Sequence, residues 1–164
     1  MPEHDTVERA HEDAREGKSP STQAGEFVRE EMDHIRDGKH GARSTKQAIA
    51  IGLSKARRAG VKLPPGKRTS KRTRRKAKRD LAKGRKRGRK TSRRRSRAVT
   101  GALRREGHTA ASRRSLSKQA RSSARRRTAS ERSASARKAV RTKGPAERSA
   151  AARKAARTRA RHRR

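Results

Sequence analysis

The sequence predicts a mostly α chain with extensive disorder: a small, marginal helical head of two to three short helices, then a long basic tail with isolated Ala/Arg-rich helices and no sheet. Three observations carry this expectation. Hydrophobic residues are 26% and aromatics 1% of 164 residues while charged residues reach 41%, too little apolar surface to offset chain entropy along the whole length. The 53 Lys and Arg against 15 Asp and Glu leave a formal +38, so the chain repels itself. The charge is also uneven. Residues 1–37 hold 11 acids and 5 bases, residues 38–66 hold 7 bases and no acid, and residues 67–164 hold 41 bases and 4 acids. That shift, with the helix-breaking Pro64-Pro65-Gly66, divides the chain into a head (1–66), a flexible cationic arm (67–97) and an Ala/Ser/Arg-rich tail (98–164).

In the head, Asp5 and Glu8 have capping-box spacing, and Gly17 followed by Pro20 supplies a stop, which predicts a first helix over 6–16. A second helix starts at Ser19-Pro20 and carries Val28, Met32 and Ile35 at spacings of four and three, with Phe27 beside them, as far as Gly38. The third, over 44–59, is the best written. Ser44 and Gln47 form a capping-box pair, Ile49, Leu53 and Ala56 share a face, and Gly60 with Val61 fits a Schellman ending. Gly52 inside it either costs up to about 1 kcal/mol or admits the second helix at close range. Ten larger apolar side chains are all the head can bury, so it is expected to be a marginal hairpin completed by a second copy or a protein partner through its helices.

Residues 67–97 carry 19 bases, with Asp80 the one acid and almost nothing apolar beyond Leu81. Further on, Val99 with Leu103, then Leu116, Ala120 and Ala124, make thin helical stripes. Two copies of one motif close the chain: residues 131–142 (ERSASARKAVRT) recur 16 residues later at 147–158 (ERSAAARKAART), identical at ten of twelve positions. Thr128 with Glu131 caps the first copy, and Gly144-Pro145 ends it and opens the second.

Such a chain seeks polyanions, and nucleic acid offers the densest charge, about one negative charge per 1.7 Å of duplex axis. The residues expected to neutralise phosphate are, in the arm, Lys67, Arg68, Lys71, Arg72, Arg74, Arg75, Lys76, Lys78, Arg79, Arg85, Lys86, Arg87, Arg89, Lys90, Arg93, Arg94, Arg95 and Arg97. In the tail they are Arg125, Arg126, Arg127, Arg137, Lys138, Arg153 and Lys154. Arg outnumbers Lys 30 to 11 beyond residue 66, and guanidinium forks suit phosphate and a narrow minor groove. Phe27 is the only aromatic, so there is no base-stacking platform, and duplex DNA or structured RNA is expected ahead of specific single strands; DNA is the first partner expected and RNA the other. Lys46, Lys55, Arg57 and Arg58 could serve a recognition helix as a secondary interface.

Other chemistries find little support. Without Cys there is no thiolate metal site or Cys nucleophile. His34 and His40 lie six apart with Gly38 between them, off the i, i+4 spacing of a helical zinc site, so neither metal nor cofactor is expected. No Ser stands in a G-x-S-x-G setting and no Gly-rich loop precedes a helix, so an enzyme is not expected. No apolar run approaches the roughly 18 residues of a membrane span and no apolar signal-peptide centre occurs, which places the expected protein in the cytoplasm, away from membrane.

The stretch from Gly38 through Pro65, GKHGARSTKQAIAIGLSKARRAGVKLPP, resembles a family of short basic bacterial proteins of unassigned function whose shared core reads S-[RT]-K-Q-A-I-A-I-[GA]-L-S-x-A-R-[RK]-A-G. With residues 19–37 the likeness covers about a third of the chain, and the remainder resembles histone-like Ala/Arg/Lys-rich extensions only generically. The resemblance implies a bacterial, nucleoid setting and carries over no catalytic residue. Sequence-nonspecific DNA binding with histone-like compaction is the function expected; an RNA- or ribosome-associated protein, or a DNA-tethered adaptor, is the alternative.

Overall fold

Three glycines in left-handed backbone set the first turns of the fold, beginning with Gly17 (φ 71°) after the first helix, beyond which Lys18 N donates to Asp13 O at 2.8 Å. Gly38 (φ 73°) and Gly60 (φ 103°) each follow a helix, and the next residue donates back into the last turn, Lys39 N to His34 O at 3.0 Å and Val61 N to Ala56 O at 3.1 Å. The computed structural model describes residues 2–66, 69–85 and 92–162, with backbone alone at 142, 143 and 162. Among them the order is α1 (His4–Arg15), α2 (Pro20–Arg36), α3 (Thr45–Arg58), α4 (Lys71–Arg85), α5 (Arg93–Arg104), a 3-10 turn (Thr109–Ala111), α6 (Arg113–Arg125) and α7 (Ala129–His162), with no strand.

The head helices stand close to where the sequence put them. Ser44 caps α3, its Oγ accepting from Gln47 N at 3.2 Å, and Pro20 opens α2 in its first turn. One expected cap is corrected: α1 begins at His4 after Glu3, which makes no side-chain cap bond, and Asp5 lies inside the helix. The chain chose an earlier start because the first turn accommodates Asp5, whose charge suits the N-terminal end of the helix dipole.

The expectation of a short head followed by a disordered tail is overturned, for helices continue through the described residues. Two compact units result, Met1–Gln119 and Ala120–Arg164. In the first, one buried cluster joins Ala10, Ala24, Phe27, Ala56 and Val61, and another joins Met32, Ile35, Ala42 and Ala48 to Ala110 and Ala111, with Leu116 packed against it. Residues past 100 therefore complete the head. Thr45 Oγ1 donates to Ala110 O at 2.7 Å, Gly41 N to Leu103 O at 2.9 Å and Ala42 N to Gly107 O at 3.0 Å.

A count of large apolar side chains missed this because most of the buried hydrophobic residues are Ala. Small residues let backbones approach. A Cβ on Gly52 would stand 2.7 Å from Val28 Cα, so the glycine serves the close crossing of α2 and α3. In the second unit α7 is exposed along its described side chains, and its helicity rests on local signals: Ala and Arg are strong helix formers, and Thr128 and Glu131 cap each other reciprocally. Gly144 (φ 60°, ψ 170°) breaks it before Pro145, where the repeats meet.

Candidate nucleic-acid interface

Helix α4 assembles the densest cationic surface on a fixed support. Its sequence places Ala77, Asp80, Leu81 and Gly84 at i, i+3, i+4 and i+7, one face of a helix. That face turns to α3. Ala77 and Asp80 are buried, Leu81 is half-buried, and a Cβ on Gly84 would lie 2.4 Å from Arg57 O. Ser70 precedes the helix and its Oγ accepts from Thr73 N at 3.2 Å, a cap of the kind that starts helices.

Asp80 is the pivot of the contact. Its Oδ2 accepts from Ser54 Oγ at 2.9 Å and its Oδ1 from Arg58 Nε at 2.9 Å and Nη2 at 2.8 Å. The carboxylate is thus spent inside the α3–α4 contact and leaves no acid on the outer surface of the helix. Lys71, Arg72, Arg74, Arg75, Lys76, Lys78, Arg79, Lys83 and Arg85 are all exposed. At 100° per residue they spread over roughly 200° of the outward arc. A helix of this length runs about 22 Å, alongside which a duplex presents about 13 phosphates.

The other sequence-predicted residues fall in several places. Lys67, Arg68, Lys86, Arg87, Arg89 and Lys90 lie outside the described residues. Arg93, Arg94, Arg95 and Arg97 are exposed on α5, Arg125 ends α6, and Arg126 and Arg127 stand in the turn after it. Arg137, Lys138, Arg153 and Lys154 are exposed on α7. Lys83 was not singled out by sequence, although its spacing from Arg72 and Arg79 on the same helix marks it.

The secondary set divides differently. Lys46 is exposed on α3, whereas Arg58 holds Asp80 and Arg57 Nε donates to Leu63 O at 3.0 Å, bracing the chain after the Gly60 turn. Burial pushes the Arg57 guanidinium below its ordinary range, against the pull of the Asp80 carboxylate. Lys55 Nζ sits 3.1 Å from Glu30 Oε1 and 2.7 Å from Glu31 Oε2. Burial opposes its charge, yet the two carboxylates outweigh burial and hold its pKa above the ordinary lysine value. Three of the four bases therefore face partners within the fold, which leaves α3 poorly furnished to read bases.

The histidines also lie differently from what their spacing implied. His34 and His40 face each other edge to face with ring centres 6.0 Å apart, because the Gly38 turn folds the chain back. Among the described residues no helix is long and apolar enough to cross a membrane.

Residues 5–68 match the model of a family of unknown function (DUF6496), a likeness that takes in nearly all of α1 and the whole of α2 and α3 and ends before α4. No curated protein and no solved structure matches the chain.

Proposed function

We propose that the chain binds nucleic acid by neutralising phosphate without reading sequence, with duplex DNA the preferred polyanion and compaction of bacterial nucleoid DNA in the cytoplasm the biological outcome. It acts as a binding protein and not as an enzyme. The observation that carries this reading is the outward arc of α4, nine exposed cations on a helix whose single acid is buried against α3. Docking fixes the helix backbone before any phosphate arrives, so less ordering entropy opposes binding there than in a free polycation. The bases of α5 and α7 extend the same chemistry, and Arg forks suit backbone oxygens.

Salt dependence tests the mechanism. Each phosphate neutralised contributes about −0.9 to the log-log slope of affinity against salt. If about a third of the net charge beyond residue 66 engages, the full chain gives a slope near −10. Replacing Arg72, Arg75, Arg79 and Lys83 by Gln, with Asp80 and the docked face intact, should make the slope shallower by about 3 to 4. An intact-chain slope shallower than about −4 sinks backbone neutralisation. Pull-downs after DNase or RNase treatment decide between DNA and an RNA-associated role.

A further inference from the structure

The Gly38 turn creates a cluster that a straight helix would not. It sets His40 beside His34, over Glu30 and Glu31 of α2, whose side chains are 2% and 0% exposed. One donor atom from each of Glu31, His34 and His40 lies within 4.8 Å of the other two.

Hydrogen bonds on the far side of each ring decide which nitrogen faces inward. His40 Nδ1 is 3.1 Å from Gly41 O, and since a carbonyl only accepts, Nδ1 carries the proton. The lone pair of a neutral ring is then on Nε2, 3.3 Å from Glu31 Oε1. His34 Nε2 donates to the Glu3 carboxylate at 2.8 Å, leaving the other lone pair on Nδ1, 3.9 Å from Glu30 Oε1. Two lone pairs thus face two carboxylates, which repel unless a cation lies between them. Lys55 supplies one positive charge for two buried carboxylates, so with neutral rings the cluster is one charge short. Glu31 Oε2 rests on the Lys55 ammonium at 2.7 Å, whereas the fully buried Oε1 has no hydrogen-bond donor.

We propose that Glu31, His34 and His40 form a binding site for a divalent transition-metal ion of the zinc class. Two imidazoles and a carboxylate are donors that favour zinc and its neighbours over calcium or magnesium. Zinc bonds of about 2.0–2.2 Å set neighbouring ligand atoms of a tetrahedron about 3.3–3.6 Å apart. The His40–Glu31 pair already meets that separation, and a His34 ring nitrogen stands within 4.8 Å of both. The outer partners, Glu3 on His34 and Gly41 O on His40, are of the type that orient metal-bound imidazoles, while Lys55 holds the second oxygen of Glu31. A polar hollow of about 280 Å³, lined by Glu3, Glu30, His34 and Lys39 among others, lies against the His34 side of the cluster. Once bound, it pins the turn whose Gly41 and Ala42 N–H groups hold Leu103 O and Gly107 O, so metal uptake tightens the docking of residues 103–111.

The test uses the full chain, freed of metal by chelation and of nucleic acid by high salt, and titrated with Co²⁺ and then Zn²⁺. The expected result is one equivalent of cobalt with visible ligand-field absorption, displaced by zinc, and a rise in melting temperature. His34→Gln and His40→Gln abolish saturable uptake. Glu3→Ala, a surface change that spares the fold, weakens it about 10- to 100-fold. His4→Gln, in the separate exposed cluster of His4, Asp5 and Glu8, leaves it unchanged. Absence of saturable absorption overturns the proposal, as does uptake indifferent to both Glu3→Ala and His40→Gln in variants whose helical circular dichroism matches the parent. Imidazole NMR that finds both rings doubly protonated at neutral pH, with no metal uptake, assigns the missing charge to protons and equally overturns it.

Discussion

Helices α4 and α7 are both crowded with bases, but they stand on different foundations. In α4 four positions, Ala77, Asp80, Leu81 and Gly84, form a face that α3 covers, and the cations fill the opposite arc. In α7 the bases alternate with Ala on every side and the described side chains are exposed. The contrast teaches that a highly charged helix docks when one of its faces is small and its one acid, itself buried, finds a basic partner on the neighbouring helix. Net charge alone does not decide between a fixed surface and a solvated helix. Tertiary packing stabilises α4, whereas α7 depends on propensity and caps.

The sharpest way to break the comparison is Gly84→Val. The new side chain meets Arg57 O, where even a Cβ would stand at 2.4 Å, so α4 must shift off α3 at a cost of about 1–3 kcal/mol. Hydrogen exchange should report loss of protection across α4 while α7 is unaffected; unchanged protection in α4 contradicts the docked arrangement. Asp80→Ala follows. It removes the acceptor of Ser54 and Arg58 and costs about 1–3 kcal/mol, toward the lower end because the Arg58 side chain is 50% exposed and can turn to water. Thermal melting of the first unit checks this, and a melting point equal to the parent's would show that Asp80 holds nothing.

In α7 the same measurements should find smaller and purely local effects. Thr128→Ala removes the cap on Glu131 N and should lower helical content over the first repeat by an amount equivalent to about 1 kcal/mol, leaving the melting of residues 1–119 in place. Smallest is Ala150→Val, at an exposed position, which costs no more than about 0.7 kcal/mol of helix propensity. A large cooperative loss from this change would mean that α7 buries a face against something.

Much of the head and of α7 was legible because its signals act within a single turn. Ser44 with Gln47, Gly60 with Val61, Thr128 with Glu131 and Gly144 with Pro145 each join residues one to three apart, so the sequence by itself determined where those helices start and stop. The bases of α4 were likewise visible as charge. Their support was not, since Ala77 and Gly84 matter only through the α3 backbone they approach, and Asp80 only through Arg58, 22 residues away. The docking of residues 103–111 depends on the bare Cα of Gly41, where a Cβ would collide with the Glu106 carbonyl, and the meeting of His34 with His40 depends on the handedness of one glycine. Tertiary structure alone decided these features, because close packing of small residues and pairing of distant charges are properties of two surfaces together, and neither surface announces the other in the residues beside it.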